Sequence, residues 1–215
     1  QDMWAYGRIV HLEPVMWYND WPICGHVGDP LLAGAPANEA DYPIDVKTNY
    51  KIDLNDNFKD NKLSLLWQTQ ANPKKSWFSF NKGLVLNCVK TDACDLHLVP
   101  QLLTQKVPAL EFDTKTLIEL DNLKENDAVG FTMMGTNYTY IEIKRINNKL
   151  ELALYEGSFN THDICVFKEE YQDDKIILGL KARNEAIYDL RYQYTVNGKV
   201  IEKSYLASAG RWIGA

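Results

Sequence analysis

No run of apolar residues in this 215-residue sequence approaches the about 18 that a membrane-spanning helix needs, so a helical span is excluded. Basic residues are the minority, with 23 Lys and Arg against 29 Asp and Glu and a net charge of −6. The broad basic face that neutralises phosphates is therefore missing, which argues against a nucleic-acid partner and disfavours an anionic membrane surface. Several catalytic signatures are absent as well. There is no Gly-x-Ser-x-Gly elbow, no glycine-rich phosphate loop and no His-Glu-x-x-His. The four cysteines, Cys24, Cys88, Cys94 and Cys165, fit no zinc spacing. Cys88 and Cys94 flank Val-Lys-Thr-Asp-Ala, a turn-like stretch that either a hairpin disulfide or two free thiols would satisfy. His11, His26, His97 and His162 are scattered, so each is expected to serve structure. The sequence opens on Gln1 with no initiator Met and no signal peptide, which is read as a mature end or a cut through a longer protein.

Aromatic residues are plentiful, at 12% of the chain, with 12 Tyr, 7 Phe and 6 Trp. Sugar C–H faces pack on such rings, but aromatics also favour strands, and composition alone favours a β-rich core. The hydrophobic fraction of 46% is that of a folded globular chain.

The character of the chain changes near residue 43. Before it come Trp4, Trp17 and Trp21 with Pro14, Pro22, Pro30, Pro36 and Pro43, and residues 28–43 read as a linker rich in Gly, Pro, Ala and Asn. After it, period-2 patterns dominate and no helical period is convincing. Strands are expected at Tyr50–Leu54, Gly83–Leu86, Phe131–Met134, Tyr138–Ile143, Leu150–Tyr155, Ile176–Leu180 and Tyr188–Val196. Asn147-Asn148-Lys149 separates two such segments. Asn197-Gly198 separates two more, and Asn-Gly tolerates the positive φ of a tight hairpin. Many short strands joined by turns predict an antiparallel β-sandwich or jelly roll of about a dozen strands over residues 44–215.

Two stretches resemble glycoside hydrolase family 43, in its β-xylosidase and α-L-arabinofuranosidase branch. Tyr6-Gly7-Arg8-Ile9-Val10-His11-Leu12-Glu13-Pro14-Val15-Met16-Trp17, followed by Asn19-Asp20-Trp21-Pro22, resembles the last propeller blade of that branch, with Glu13 where the family has Gln. The remainder resembles its C-terminal concanavalin A-like sandwich. The matching runs are Asp56-Asn57-Phe58, then Leu66-Trp67-Gln68-Thr69-Gln70-Ala71-Asn72-Pro73 with Trp77, then Leu102-Leu103-Thr104-Gln105-Lys106 with Phe112. Asp127 to Gly135 with Tyr138-Thr139-Tyr140 follows, and Gly210-Arg211-Trp212-Ile213-Gly214-Ala215 closes the series. Ala109-Leu110 departs from the family's Gly-Pro.

The resemblance implies an all-β chain: residues 1–27 as a remnant of a five-bladed propeller's last blade, 28–43 as linker, and 44–215 as an accessory sandwich that lacks its closing strands. It implies that the three essential carboxylates precede residue 1, so no Asp or Glu here is assigned to catalysis. Arg8 alone is assigned to substrate, as the Arg whose guanidinium reaches the sugar; holding the blade closed is the alternative. Trp17 and Trp21 are expected to pack in blade and linker. Trp67, Trp77 and Trp212 are expected in the core, with a sugar platform as the alternative. No cofactor is implied, apart from a calcium ion in the intact propeller or sandwich. The implied partners are xylan or arabinan oligosaccharides and the rest of the propeller, in a secreted or periplasmic setting. A free-standing lectin-like module is the rival reading, and a purely structural domain is a third.

Overall fold

The structure is a computed structural model that describes residues 12–25, 35–37, 39–45, 53–70, 72–92, 95–183, 187–196, 198–207 and 209. They fall into two compact units, one within Arg8–Asp53 and one from Leu54 onward. Arg8, His11, His26, Trp4, Cys94 and Trp212 lie outside the described residues, and so do Tyr50 to Ile52 of the first expected strand. The rest of that segment, Asp53 and Leu54, is not strand.

In the first unit, β1 (Val15–Tyr18) and β2 (Trp21–Cys24) form an antiparallel hairpin with Tyr18 opposite Trp21. Asn19 and Asp20 make the two-residue turn at φ 50° and 61°, a left-handed conformation that short polar side chains accept. Trp17 and Trp21 are 70% and 72% exposed. The blade and linker packing expected of these rings is therefore not made within the described residues, where the two-stranded ribbon is a single layer. Residues 35–37 and 39–45 carry no strand, and Ala37 donates its N–H to the Glu13 carboxylate at 3.0 Å.

The second unit begins with short strands, β3 (Gln68–Thr69), β4 (Phe78–Phe80), β5 (Leu84–Leu86) and β6 (Leu103–Thr104), with one 3-10 turn at Leu96–Leu98. Long strands follow: β7 (Phe112–Glu119), β8 (Ala128–Met133), β9 (Asn137–Ile146), β10 (Lys149–Ser158), β11 (Ile164–Tyr171), β12 (Lys175–Arg183), β13 (Ile187–Val196) and β14 (Lys199–Ala207). They form two antiparallel four-stranded sheets, ordered β11-β10-β9-β8 and β14-β13-β12-β7. The all-β sandwich expected from the sequence is what the chain forms.

Period-2 alternation makes the layers. Ile141 and Ile143 of β9 and Leu152 and Leu154 of β10 point inward from one sheet. Leu178 and Leu180 of β12 and Tyr188, Leu190 and Tyr192 of β13 meet them from the other. Each such side chain, fully buried, contributes about 1.5–3 kcal/mol. Among the described residues five tyrosines are buried, Tyr138, Tyr140, Tyr171, Tyr188 and Tyr192, so part of the aromatic excess is structural. Trp77 is 6% exposed, as expected of a core residue. Trp67 is half-buried and donates its indole N–H to Asp56 at 2.9 Å, so it is held by a hydrogen bond rather than offered as a platform.

The Asn147-Asn148 turn occupies two residues, at φ 52° and 61°, and Lys149 already belongs to β10 opposite Ile146. Glu125 accepts both asparagine N–H groups, at 2.7 and 3.1 Å. Of the eight long strands, β7 and β11 escaped the period-2 reading, and each is an edge of its sheet. Edge strands are blunted by exposed and charged positions and by bulges. Leu117 is 59% exposed, and β11 bulges where Leu154 faces Phe167 and Tyr155 faces Cys165. Cys88 is a free thiol, pushed up by burial and by the Asp127 carboxylate beside it.

Candidate functional site

The outward face of the sheet β11-β10-β9-β8 carries a cluster of polar and aromatic side chains. The register builds it in rows across the strands. One row is Thr132, Tyr140, Tyr155 and Cys165. The next is Gly130, Glu142, Ala153 and Lys168, and the third is Ala128, Lys144, Glu151 and Glu170. Tyr138 of β9 faces Gly157 of β10 beyond the first row.

Tyrosines stand side by side along this face. Tyr140 and Tyr155, directly opposite on neighbouring strands, stack with ring centroids 5.0 Å apart and planes 15° apart. Tyr138 tilts against Tyr140 at 6.1 Å. Asp163, at the start of β11, clamps two of them. It accepts the Tyr138 hydroxyl at 2.5 Å on one oxygen and the Tyr140 hydroxyl at 2.8 Å on the other. Burial, reinforced by these bonds to a carboxylate, pushes both phenols well above the usual tyrosine range. They are therefore permanent donors to Asp163 at any ordinary pH. Gly157 is required beside them, because a Cβ there would overlap both Asp163 and the Tyr138 ring.

The clamp continues into the loops at this end of the sheet. The Tyr138 hydroxyl accepts the Leu96 N–H at 2.9 Å. Asp95 is 2% exposed. It accepts the His97 N–H at 2.7 Å on one oxygen and the Asn160 N–H at 3.0 Å on the other. The His97 ring lies with Nδ1 3.2 Å from Asp95 and Nε2 2.9 Å from the Gly135 carbonyl. His97 thus has the structural role expected of it. Hydrogen bonds thus join the three loops around residues 95–99, 134–137 and 158–163 into one rim.

Glu142 differs from Asp95 and Asp163. It is half-buried, and no hydrogen bond or ion pair reaches it from the described residues. Burial pushes its carboxyl above the ordinary carboxylate value, Lys144 pulls it back, and Asp163 and Glu151 add to the rise. Tyr155 is pushed up to about 12, by burial first and by the Glu142 charge second. Lys168 pairs with Glu151 at 3.4 Å on the same face.

For catalysis this set is poorly arranged. Asp95 and Asp163 are occupied as acceptors, and a general acid or base must have its proton site open to substrate. No three His, Cys, Asp or Glu side chains among the described residues come together to hold a metal. Arg8, the one residue assigned to substrate from the sequence, lies outside the described residues. The sequence reading missed Glu142 and Tyr155. Counting outward from the Asn147-Asn148 turn would have found them, because a two-residue hairpin pairs Tyr140 with Tyr155 and Glu142 with Ala153.

Comparison with known proteins places this sandwich. A protein of Xylanibacter ruminicola assigned by inference as a beta-xylosidase is 30% identical over 123 residues, 56% of this chain and 23% of that protein. A beta-xylosidase of Formosa agariphila is 22% identical over 97% of this chain and 38% of that protein. The chain thus spans well under half the length of these curated relatives. A solved structure of an engineered family 43 glycoside hydrolase, described as having both endo-xylanase and exo-arabinofuranosidase activity, superposes on all of this chain and 44% of its own. The TM-score is 0.71 at 19% identity, a likeness of fold. The family profile of the beta-xylosidase C-terminal concanavalin A-like domain matches residues 55–215, and the chain belongs to that family, the C-terminal sandwich of glycoside hydrolase family 43.

Proposed function

We propose that this chain is the C-terminal portion of a glycosidase acting on xylose- or arabinose-containing plant polysaccharide. It serves there as an accessory domain that braces a catalytic propeller and rims its pocket. The observation that carries this reading is the family match over residues 55–215, on a chain that accounts for 38% or less of its curated relatives. The geometry supports it. The Asp95 and Asp163 networks hold three loops at one end of the sandwich in fixed relation, as a surface that keeps a neighbouring domain in register requires. The β1–β2 hairpin, with two exposed tryptophans, fits the last-blade remnant expected from the sequence, and Arg8 remains the proposed sugar contact. Secretion or periplasmic export follows from the substrate class.

The chain by itself supplies no catalytic carboxylate pair in this reading. The test is incubation of the 215-residue protein with 4-nitrophenyl β-D-xyloside and 4-nitrophenyl α-L-arabinofuranoside. Release of nitrophenol at the buffer rate is expected. Enzymatic turnover that survives repurification would overturn the assignment.

A further inference from the structure

We propose that residues 35–37, inside the stretch read from the sequence as a linker, form a strap docked across the open end of the β1–β2 hairpin, with the Glu13 carboxylate as its anchor. The free tether then starts after Ala37. This gives Glu13 a positioning role, and it stands apart from the accessory reading above.

Three observations carry it. The first is a bond between segments far apart in sequence. Ala37 donates its N–H to Glu13 Oε2 at 3.0 Å, across 24 residues. A hydrogen bond to a carboxylate is stronger than one between neutral groups. Both residues are half-buried, where a backbone N–H needs a partner.

The second is a close approach at the same end of the hairpin. Gly25 follows β2 and donates its N–H to the Pro14 carbonyl at 2.9 Å, one pair beyond Val15 and Cys24, so it closes the ladder. It is buried, with φ at 102°. A Cβ there would stand 2.2 Å from the Ala35 carbonyl oxygen. No side chain fits, and the left-handed backbone independently favours glycine. Glu13 and Gly25 thus hold the strap from the outer ends of the two strands.

The third is the strap's own sequence. Pro36 fixes its own φ and keeps the residue before it extended. Ala35 and Ala37 are half-buried and Pro36 between them is exposed, the alternation of an extended segment laid on a surface. The pattern ends there, since residues 39–45 are all exposed. The strap also accounts for a departure in the sequence, where Glu13 stands in place of the Gln of the family 43 branch. An amide oxygen accepts the same N–H, so either residue can serve as the anchor.

The test is site-resolved amide hydrogen exchange of the full 215-residue chain, wild type beside Glu13→Gln and Glu13→Ser. With intrinsic rates divided out, the Ala37 amide should exchange at least about tenfold more slowly than that of the exposed Ala40, because exchange requires the strap to lift. Glu13→Gln should keep that protection within about threefold. Glu13→Ser, whose hydroxyl is too short to reach, should bring Ala37 to the rate of Ala40. The Gly25 amide bonds Pro14 and not Glu13, so it should stay protected in all of these proteins. Equal rates for Ala37 and Ala40 in the wild-type chain would overturn the strap, whether or not the variants fold. Protection of Ala37 that survives in Glu13→Ser would overturn it too. So would loss of Gly25 protection in that variant, which would show Glu13 holding the ladder rather than the strap. None of these results touches the accessory role, which rests on the separate hydrolysis measurement.

Discussion

Asp163→Ala is expected to lower the stability of the sandwich by about 2–4 kcal/mol, because it strands two buried phenols at once. Tyr138 and Tyr140 are 1% and 9% exposed and both donate to Asp163. A neutral hydrogen bond is worth about 1 kcal/mol net, one to a charged acceptor about 1.5–3 kcal/mol, and a donor left unsatisfied costs a similar amount. The sum is held below the full total because Asp163 itself is only half-buried. For a domain of this size each kcal/mol moves the melting temperature by about 2–4 °C, so thermal unfolding should shift down by about 5–15 °C. Asp163→Asn, which keeps one acceptor oxygen, should lose about half as much. A shift below about 2 °C for Asp163→Ala would show that the clamp does not hold the rim.

Leu178→Ala should cost about as much for a different reason. Leu178 is fully buried in β12, and its loss leaves a cavity that the two sheets cannot close without distorting their hydrogen bonds. Leu→Ala at such sites costs about 2–5 kcal/mol. The control lies on the next strand of the same sheet. Leu117 of β7 is 59% exposed on the outward face, and Leu117→Ala should change stability by less than about 0.5 kcal/mol. Denaturant titration of both variants separates inward from outward faces. Equal losses would mean that the alternation places these leucines wrongly.

These two positions differ in how they could be read from the sequence. Leu178 lies in Ile176-Ile177-Leu178-Gly179-Leu180, an apolar run whose strand character is plain and whose length fits a strand buried on one face. The β9–β10 and β13–β14 hairpins announce themselves through Asn147-Asn148 and Asn197-Gly198. The edge strands β7 and β11 do not, because Asp113, Thr114, Lys115 and Thr116 in one, and Lys168, Glu169 and Glu170 in the other, dilute the apolar pattern. Such dilution is how edges resist pairing with other chains.

Asp163 was invisible for a further reason. It is 25 residues from Tyr138 and 23 from Tyr140, and nothing in the spacing of one aspartate and two tyrosines signals a clamp. Only the sheet order brings the residue just before β11 to the tyrosines at the start of β9. The Asp95–Asn160 bond, 65 residues apart, is the same case. Glu142 and Tyr155 stood within reach, since both follow from the hairpin register, but alternation alone does not tell which face of a strand meets solvent. The exposed Trp17 and Trp21 show the limit of residue type as a guide to burial: a tryptophan is buried only where a second layer exists to cover it.

The most direct test of the accessory role is a graft. The portion of the Formosa agariphila beta-xylosidase that aligns with this chain would be removed and then replaced by residues 1–215. Hydrolysis of 4-nitrophenyl β-D-xyloside and thermal unfolding would be followed for all three proteins. The truncated protein should lose most of its activity and melt lower, and the graft should recover both. A graft that folds, as judged by circular dichroism, yet remains as inactive and as heat-labile as the truncated protein would contradict the account.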